Sequence, residues 1–191
     1  RLGRERRLAA EEYEELVRTL SREEAAGERE ELFARARRVR EAVYGKKVYI
    51  RGLVEVSNVC RNDCYYCGIR KSNGHAVRYR MDQEEILECC REGYRLGFRT
   101  FVFQGGEDPA MTDQVVEALV AAVHREFPDC AITLSLGEKE RESYQRFFDA
   151  GASRYLLRHE TASPEHYRRL HPPSMSWEHR VQCLRDLKGI G

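Results

Sequence analysis

Three cysteines stand within eight residues in the run Cys60-Arg61-Asn62-Asp63-Cys64-Tyr65-Tyr66-Cys67, a C-x3-C-x2-C spacing. Thiolates this close on one loop can each take a different iron of a 4Fe–4S cluster and leave the fourth iron without a protein ligand. An iron with an open position can bind a substrate, which separates a catalytic cluster from one that only carries electrons. The same residues also admit a structural zinc site. Zinc in such sites takes four ligands, and His75 is the nearest residue that completes a Cys3His set. Four other cysteines, Cys89, Cys90, Cys130 and Cys183, fall on expected helices or at a strand entry and read as small packed hydrophobes.

Further chemistry-bearing residues sit at expected strand ends. Gly105-Gly106-Glu107 follows an apolar run, Glu138 follows another, and Arg158 ends a third. Glu138 and Arg158 should face one mouth of a sheet, with a rim salt bridge between them or with neighbours as the plainer alternative. Arg154, at the start of its strand, belongs to the opposite, stabilising end. His159 lies beside Arg158, but a lone histidine at a strand end is more often structural. His166 and His171 receive no assignment.

The elements that must position these residues alternate regularly. Residues 1–47 hold 13 Lys/Arg and 11 Asp/Glu, and read as two amphipathic helices joined near Gly27. From residue 48 strands and helices take turns. Val48–Val56 is β-branched and alternating, and ends at Ser57-Asn58. Asp82 with Glu85 has capping-box spacing ahead of a helix carrying Ile86, Cys90 and Leu96. Thr100–Phe103, Ala131–Leu136 and Tyr155–Leu157 are the other expected strands. Helices are expected across Val116–Phe127, across 139–149, and from a Ser176 cap to Gly189. Strands alternating with helices imply right-handed βαβ units and a parallel sheet. About four units are present, whereas a closed eight-stranded α/β barrel takes typically ~250 residues. The expected fold is therefore α/β: an N-terminal helical cap (1–47) and a partial TIM-type barrel (48–191) ending before strand five. On that reading the edge of the fourth strand is uncovered, and the absent initiating Met suggests a fragment.

Composition narrows the function classes. The 191 residues hold 33 Lys+Arg against 32 Asp+Glu, a net charge of +1. That balance removes the electrostatic case for a general nucleic-acid or membrane-surface binder. No apolar run approaches the ~18 residues of a membrane span, and no signal peptide opens the chain. Seven cysteines, three of them clustered, suit a reducing compartment better than a disulfide scaffold, so a cytoplasmic location is expected.

Cys60, Cys64 and Cys67, with aromatic Tyr66 just before the third, resemble the C-x3-C-x-aromatic-C motif of the radical S-adenosylmethionine (SAM) superfamily. Gln104-Gly105-Gly106-Glu107-Asp108-Pro109 resembles that family's Gly-Gly-Glu element. Arg51–Asn58, Cys67–Arg70, Tyr79-Arg80-Met81, Thr133–Glu138 and Arg154–Thr161 extend the likeness toward its FeFe-hydrogenase maturase branch, ahead of methylornithine synthase and biotin synthase. The resemblance implies a 4Fe–4S cluster on the three cysteines, with the SAM amino and carboxylate groups on the open iron. Reduction would then cleave the sulfonium bond to a 5′-deoxyadenosyl radical. It also implies that Tyr66 and Gly68 lie along the adenine and that Gly105, Gly106 and Glu107 meet the methionine amino group. Arg158 would pair with the carboxylate, and Glu138 with the ribose or the amino group. The implied function is assistance in assembling the hydrogenase diiron subcluster. Its partners would be a small-molecule or iron-complex substrate, a flavodoxin or ferredoxin electron donor, and other maturation proteins. A zinc-binding interaction module built on His75 is the alternative outside enzymes.

Overall fold

The computed structural model describes residues 2–5 and 7–191, and the chain divides into two compact units, Arg1–Tyr49 and Ile50–Gly191. The first unit is helical: α1 (Leu2–Glu5), α2 (Ala10–Leu20), a 3-10 turn (Glu23–Ala25) and α3 (Ala26–Tyr44). The joint falls at Ser21–Ala25 rather than near Gly27, which lies in the first turn of α3. There the Arg29 guanidinium donates to the carbonyls of Leu20 and Arg22 and closes the turn. Among the described residues of this unit Ala25 is the one buried; α2 and α3 bury none, and Val17, Phe33, Val39 and Val43 are exposed.

The second unit is built on a four-stranded parallel sheet in the order β1 (Gly52–Ser57), β2 (Thr100–Gly105), β3 (Ala131–Ser135) and β4 (Ala152–Tyr155). Helix α4 (Gln83–Arg95) connects β1 to β2, α5 (Asp113–Glu126) connects β2 to β3, and α6 (Arg141–Asp149) connects β3 to β4. Helices α7 (Pro164–Leu170) and α8 (Trp177–Ile190) follow. The capping box is formed: Asp82 accepts from the Glu85 N–H while Glu85 accepts from the Asp82 N–H.

Two strand boundaries differ from expectation. Val48–Arg51 stay outside the sheet: β1 pairs only from Gly52, opposite Phe101, and β2 extends a single residue further back, to Thr100. The last strand begins at Ala152 rather than Tyr155. Gly151, at φ 120°, turns the chain out of α6, and Ala152 and Arg154 take the register against β3. Leu96 and Phe148, assigned to helix faces, are exposed.

Alternation along the strands divides the sheet into two unlike faces. Val54, Val56, Phe101, Phe103, Ile132 and Leu134 point to one side and form a single core with Ile86, Cys90, Val116, Leu119, Val120, Val123 and Phe147 of the helices. The intervening residues, Glu55, Gln104, Thr133 and Ser135, belong to the other face. Among the described residues no helix is long and apolar enough to cross a membrane.

Candidate functional site

The cysteine loop leaves the C-terminal end of β1 and returns at Arg80, which bridges Ser57 in antiparallel fashion. Its shape is held from inside by one guanidinium. Arg78 donates to the carbonyls of Asn58 (2.6 Å), Ile69 (2.8 Å), Arg70 (2.7 Å) and Asn73 (3.3 Å), so one planar fork satisfies four loop carbonyls. A second anchor is Asp108, whose side chain is fully buried. It accepts from the Ser57 hydroxyl (2.6 Å), from Arg80 Nε (2.6 Å) and Nη2 (2.9 Å), and from the Ala110 N–H (2.9 Å). Burial alone pushes this carboxyl up; the bonds from Arg80, Ser57 and Ala110 outweigh it and hold it at about 2.

The Gly-Gly pair lies directly beneath this loop. A Cβ on Gly106 would overlap the Val59 carbonyl oxygen and come within 2.7 Å of Cys60 Cβ, and one on Gly105 would lie 2.9 Å from the Ser57 carbonyl oxygen. These glycines are required by the close approach of the protein's own loop, a use the sequence reading did not assign to them. Gly68 is different: nothing lies within 4 Å of the position a Cβ would take.

Cys60, Cys64 and Cys67 are partly buried, and all three thiols line one cavity of about 470 Å³ at the strand ends. Tyr66, Gly68, Gly105, Gly106, Glu107 and Arg158 line it too, so most of the residues singled out in the sequence converge there. Burial, then the negative charges of Cys60 and Cys67, push the Cys64 thiol up to about 11, while Arg180 opposes them. A Cys64 thiolate therefore needs a cation beside it, which a bound metal would supply. Among the described residues no three His, Cys, Asp or Glu side chains converge on a point one metal ion could occupy. Thiols that each take a different iron need no such point. The zinc alternative lacks its fourth ligand here: His75 is exposed and does not line the cavity.

Glu138 departs from its expected role. It does not line the cysteine cavity, and its carboxylate is buried against Arg180, at 2.5 Å from Nε. The ion pair is with a residue the sequence reading passed over, not with Arg158. Arg180 in turn lines the cavity, and its Nη1 donates to the Arg158 carbonyl. Burial pushes the guanidinium down, but the hydrogen bond and charge of Glu138 prevail and raise it. Glu107 is similarly engaged. One of its oxygens accepts from the Glu138 N–H (3.0 Å) and the other from Arg61 Nε (3.1 Å), so it ties the cysteine loop to the turn after β3. Gly137, at φ 81°, leaves room for the Glu107 side chain, which a Cβ would strike.

Arg158 ends a polar ladder across the sheet: it donates to Gln104 Oε1 (3.1 Å), and Gln104 donates to Glu55 (3.0 Å). Arg154 is exposed in β4, away from this cavity, and His159 does not line it. Glu160, at φ 65°, and Met175 do line it, and neither was singled out in the sequence. Met175 Sδ lies 3.6 Å from Cys64 Sγ. Cys90, Cys130 and Cys183 are buried and do not line it; Cys89 does not line it either, but it is exposed rather than packed as a small hydrophobe.

Comparison with known proteins follows this geometry. A model of the Radical SAM superfamily matches residues 54–191. The FeFe hydrogenase maturase subunit HydE of Thermotoga maritima is 46% identical over 165 residues, 86% of this chain and 47% of that protein. The 3-methylornithine synthase of Methanosarcina barkeri is 32% identical over 92% of this chain and 50% of its own. The crystal structure of methylornithine synthase (PylB) superposes with a TM-score of 0.80 at 30% identity, covering 92% of this chain and 52% of that one. The chain thus spans about half the length of the curated relatives it matches.

Proposed function

Since the chain belongs to the Radical SAM superfamily, whose members use a 4Fe–4S cluster and SAM, we propose that it is a SAM-cleaving enzyme of FeFe-hydrogenase maturation. The carrying observation is that three thiols of one loop open onto a single cavity at the C-terminal strand ends, where α/β proteins of this kind place their sites. A cluster bound there supplies one-electron cleavage of the SAM sulfonium carbon–sulfur bond. The higher identity to the maturase, 46% against 32% for the methylornithine synthase, supports the maturation branch.

Each residue then has a task that its surroundings allow. Cys60, Cys64 and Cys67 each hold one iron. Arg158 offers a planar fork to a carboxylate, and Arg180 adds a second cation kept in place by Glu138. Tyr66 forms an aromatic wall, and the open space at Gly68 admits a flat base beside it. Gly105 and Gly106 present backbone to an amino group while making room for the cysteine loop. Glu107 lines the cavity and can still accept from the amino group while bracing the loop through Arg61 and the Glu138 N–H, and Glu138 acts from behind as a brace on Arg180. We assign this chemistry to residues 48–191, with 1–47 as a separate helical segment. A flavodoxin- or ferredoxin-type donor, a small-molecule or iron-complex substrate and a cytoplasmic setting complete the reading.

Anaerobic reconstitution tests it. The protein should take up about four irons and four sulfides and turn brown, as a cubane cluster requires. Cys60→Ala, Cys64→Ala and Cys67→Ala should each lose that iron, whereas Cys89→Ala should keep it. Normal iron and sulfide in Cys64→Ala would refute the assignment.

A further inference from the structure

The segment from Tyr167 to Met175 underlies the cysteine loop, and His171 is its centre. The Tyr65 N–H donates to the Leu170 carbonyl at 2.9 Å, and Met175 touches Cys64. Between these two contacts His171 is 2% exposed, and the site as described gives it no task. Its placement follows from Leu170-His171-Pro172-Pro173. A residue before proline is pushed out of the helical region, and His171 takes φ −128°, ψ 150°. The ring then folds back across the last turn of α7 and stacks on Tyr167, with centroids 3.8 Å apart and planes 16° from parallel.

That stack fixes the ring's hydrogen bonding. His171 Nδ1 lies 3.0 Å from the Tyr167 carbonyl oxygen. A carbonyl only accepts, so the neutral ring carries its proton on Nδ1 and leaves Nε2 as an acceptor. Nε2 faces the Tyr66 hydroxyl at 3.4 Å, and the two rings meet edge to face with centroids 5.5 Å apart. Tyr66 is half-exposed, and its hydroxyl also meets the Glu160 carboxylate, so two acceptors, His171 Nε2 and Glu160, face its one proton.

We propose that His171 is a positioning residue: by accepting from the Tyr66 hydroxyl it sets the angle of the aromatic wall against which the SAM adenine lies. The inference rests on the SAM-binding reading above and adds to it a residue from a different element, more than a hundred positions along the chain. His171 touches neither cluster nor SAM; it acts through Tyr66. The stack on Tyr167 gives it a fixed platform, so the wall does not swing with the mobile hydroxyl of an isolated tyrosine.

The test measures SAM binding by anaerobic calorimetry on the iron- and sulfide-loaded protein, with iron content assayed alongside. His171→Phe keeps the stack and the edge contact but removes the acceptor. It should weaken SAM binding roughly three- to tenfold with iron unchanged, the range expected for loss of one neutral hydrogen bond. His171→Gln, which restores an acceptor, should recover part of the loss. Tyr66→Phe, which also removes the contact with Glu160, should weaken binding at least as much, and the double variant no further than Tyr66→Phe, because the His171 bond is already gone there. His171→Phe binding SAM like the parent would overturn the proposal, and so would losses that add in the double variant. Loss of iron in His171→Phe would overturn it as well, since His171 would then support the whole loop. Should His171→Phe fail to fold, His171→Gln in the Tyr66→Phe background decides: no added effect supports the coupling, a full added effect refutes it. A parent protein that loads iron but binds no SAM refutes the functional reading itself, and this inference with it.

Discussion

The two faces of the one sheet solve opposite problems. On the helix-covered face Phe101, Phe103, Ile132 and Leu134 are at most 1% exposed and meet only apolar neighbours, so shape and area decide stability there. At the strand-end mouth Ser57, Asp108, Glu138 and Arg180 are buried, and each is bonded to a partner from a different segment. A polar group taken from water costs free energy unless it is paired, so at these four residues pairing rather than area decides stability. The difference teaches where precision is spent. The dry face tolerates any set of apolar side chains of suitable volume, whereas the mouth depends on particular donors and acceptors that hold the cysteine loop.

Paired substitutions would break this contrast or sharpen it. Phe103→Ala should cost about 3–5 kcal/mol through its cavity, and Glu138→Ala a similar 3–5 kcal/mol by leaving Arg180 charged and unpaired. Conservative changes should then separate the faces. Leu134→Met should cost under about 1.5 kcal/mol. Arg180→Lys should cost more than that, because an ammonium cannot meet Glu138 and the Arg158 carbonyl in the same fork geometry. Urea denaturation midpoints of the four variants check this; equal costs for Leu134→Met and Arg180→Lys would erase the distinction.

A second contrast lies within the mouth, between two glycines. Gly106→Ala drives a methyl group into the Val59 carbonyl and should destabilise by about 1–3 kcal/mol while lowering iron retention. Gly68→Ala meets nothing and should leave stability and iron content unchanged, but should weaken SAM binding by intruding on the adenine. Iron assays and melting curves on both variants, with SAM binding on the second, read out the difference.

The smallest effect concerns acid. Asp108 is held at about 2 in the folded protein, below the ordinary carboxylate value of 3.8. A depressed pKa contributes stability that is complete above the unfolded value and is lost as pH falls through the folded one. Stability should therefore decline between about pH 4 and pH 2. Asp108→Asn, less stable at neutral pH, should show a flatter decline over that window. A parallel decline in both proteins would contradict the pairing.

Much of this was legible in residue order, for physical reasons that can be named. The cysteine spacing, the Gly-Gly-Glu run and the strand–helix alternation are local patterns, and the family match bears out the resemblance they carry. Strand edges were less legible because apolar runs do not reveal their partners: Val48–Arg51 look like a strand but stay outside the sheet. Arg78, Met175 and Arg180 were not singled out because each meets the site from outside the motifs; Glu160 lay inside the Arg154–Thr161 stretch without a task, and His171 was left unassigned. Arg180 reaches Glu138 across 42 positions, and His171 reaches Tyr66 across 105. Glu138 was placed at the right strand end, but its partner was not visible until α8 was folded against it.

The central claim is that a 4Fe–4S cluster held by Cys60, Cys64 and Cys67 leaves its fourth iron open for SAM beside Arg158. Paramagnetic resonance of the reduced, reconstituted protein during SAM titration tests it most directly, because the spectrum reports ligation at that iron. The signal should change saturably on adding SAM. In Arg158→Ala the midpoint should move to roughly 10–150-fold higher SAM, as loss of a charge-assisted bond worth about 1.5–3 kcal/mol requires. A reduced cluster whose spectrum ignores SAM, or an Arg158→Ala protein that titrates like the parent, would contradict the account.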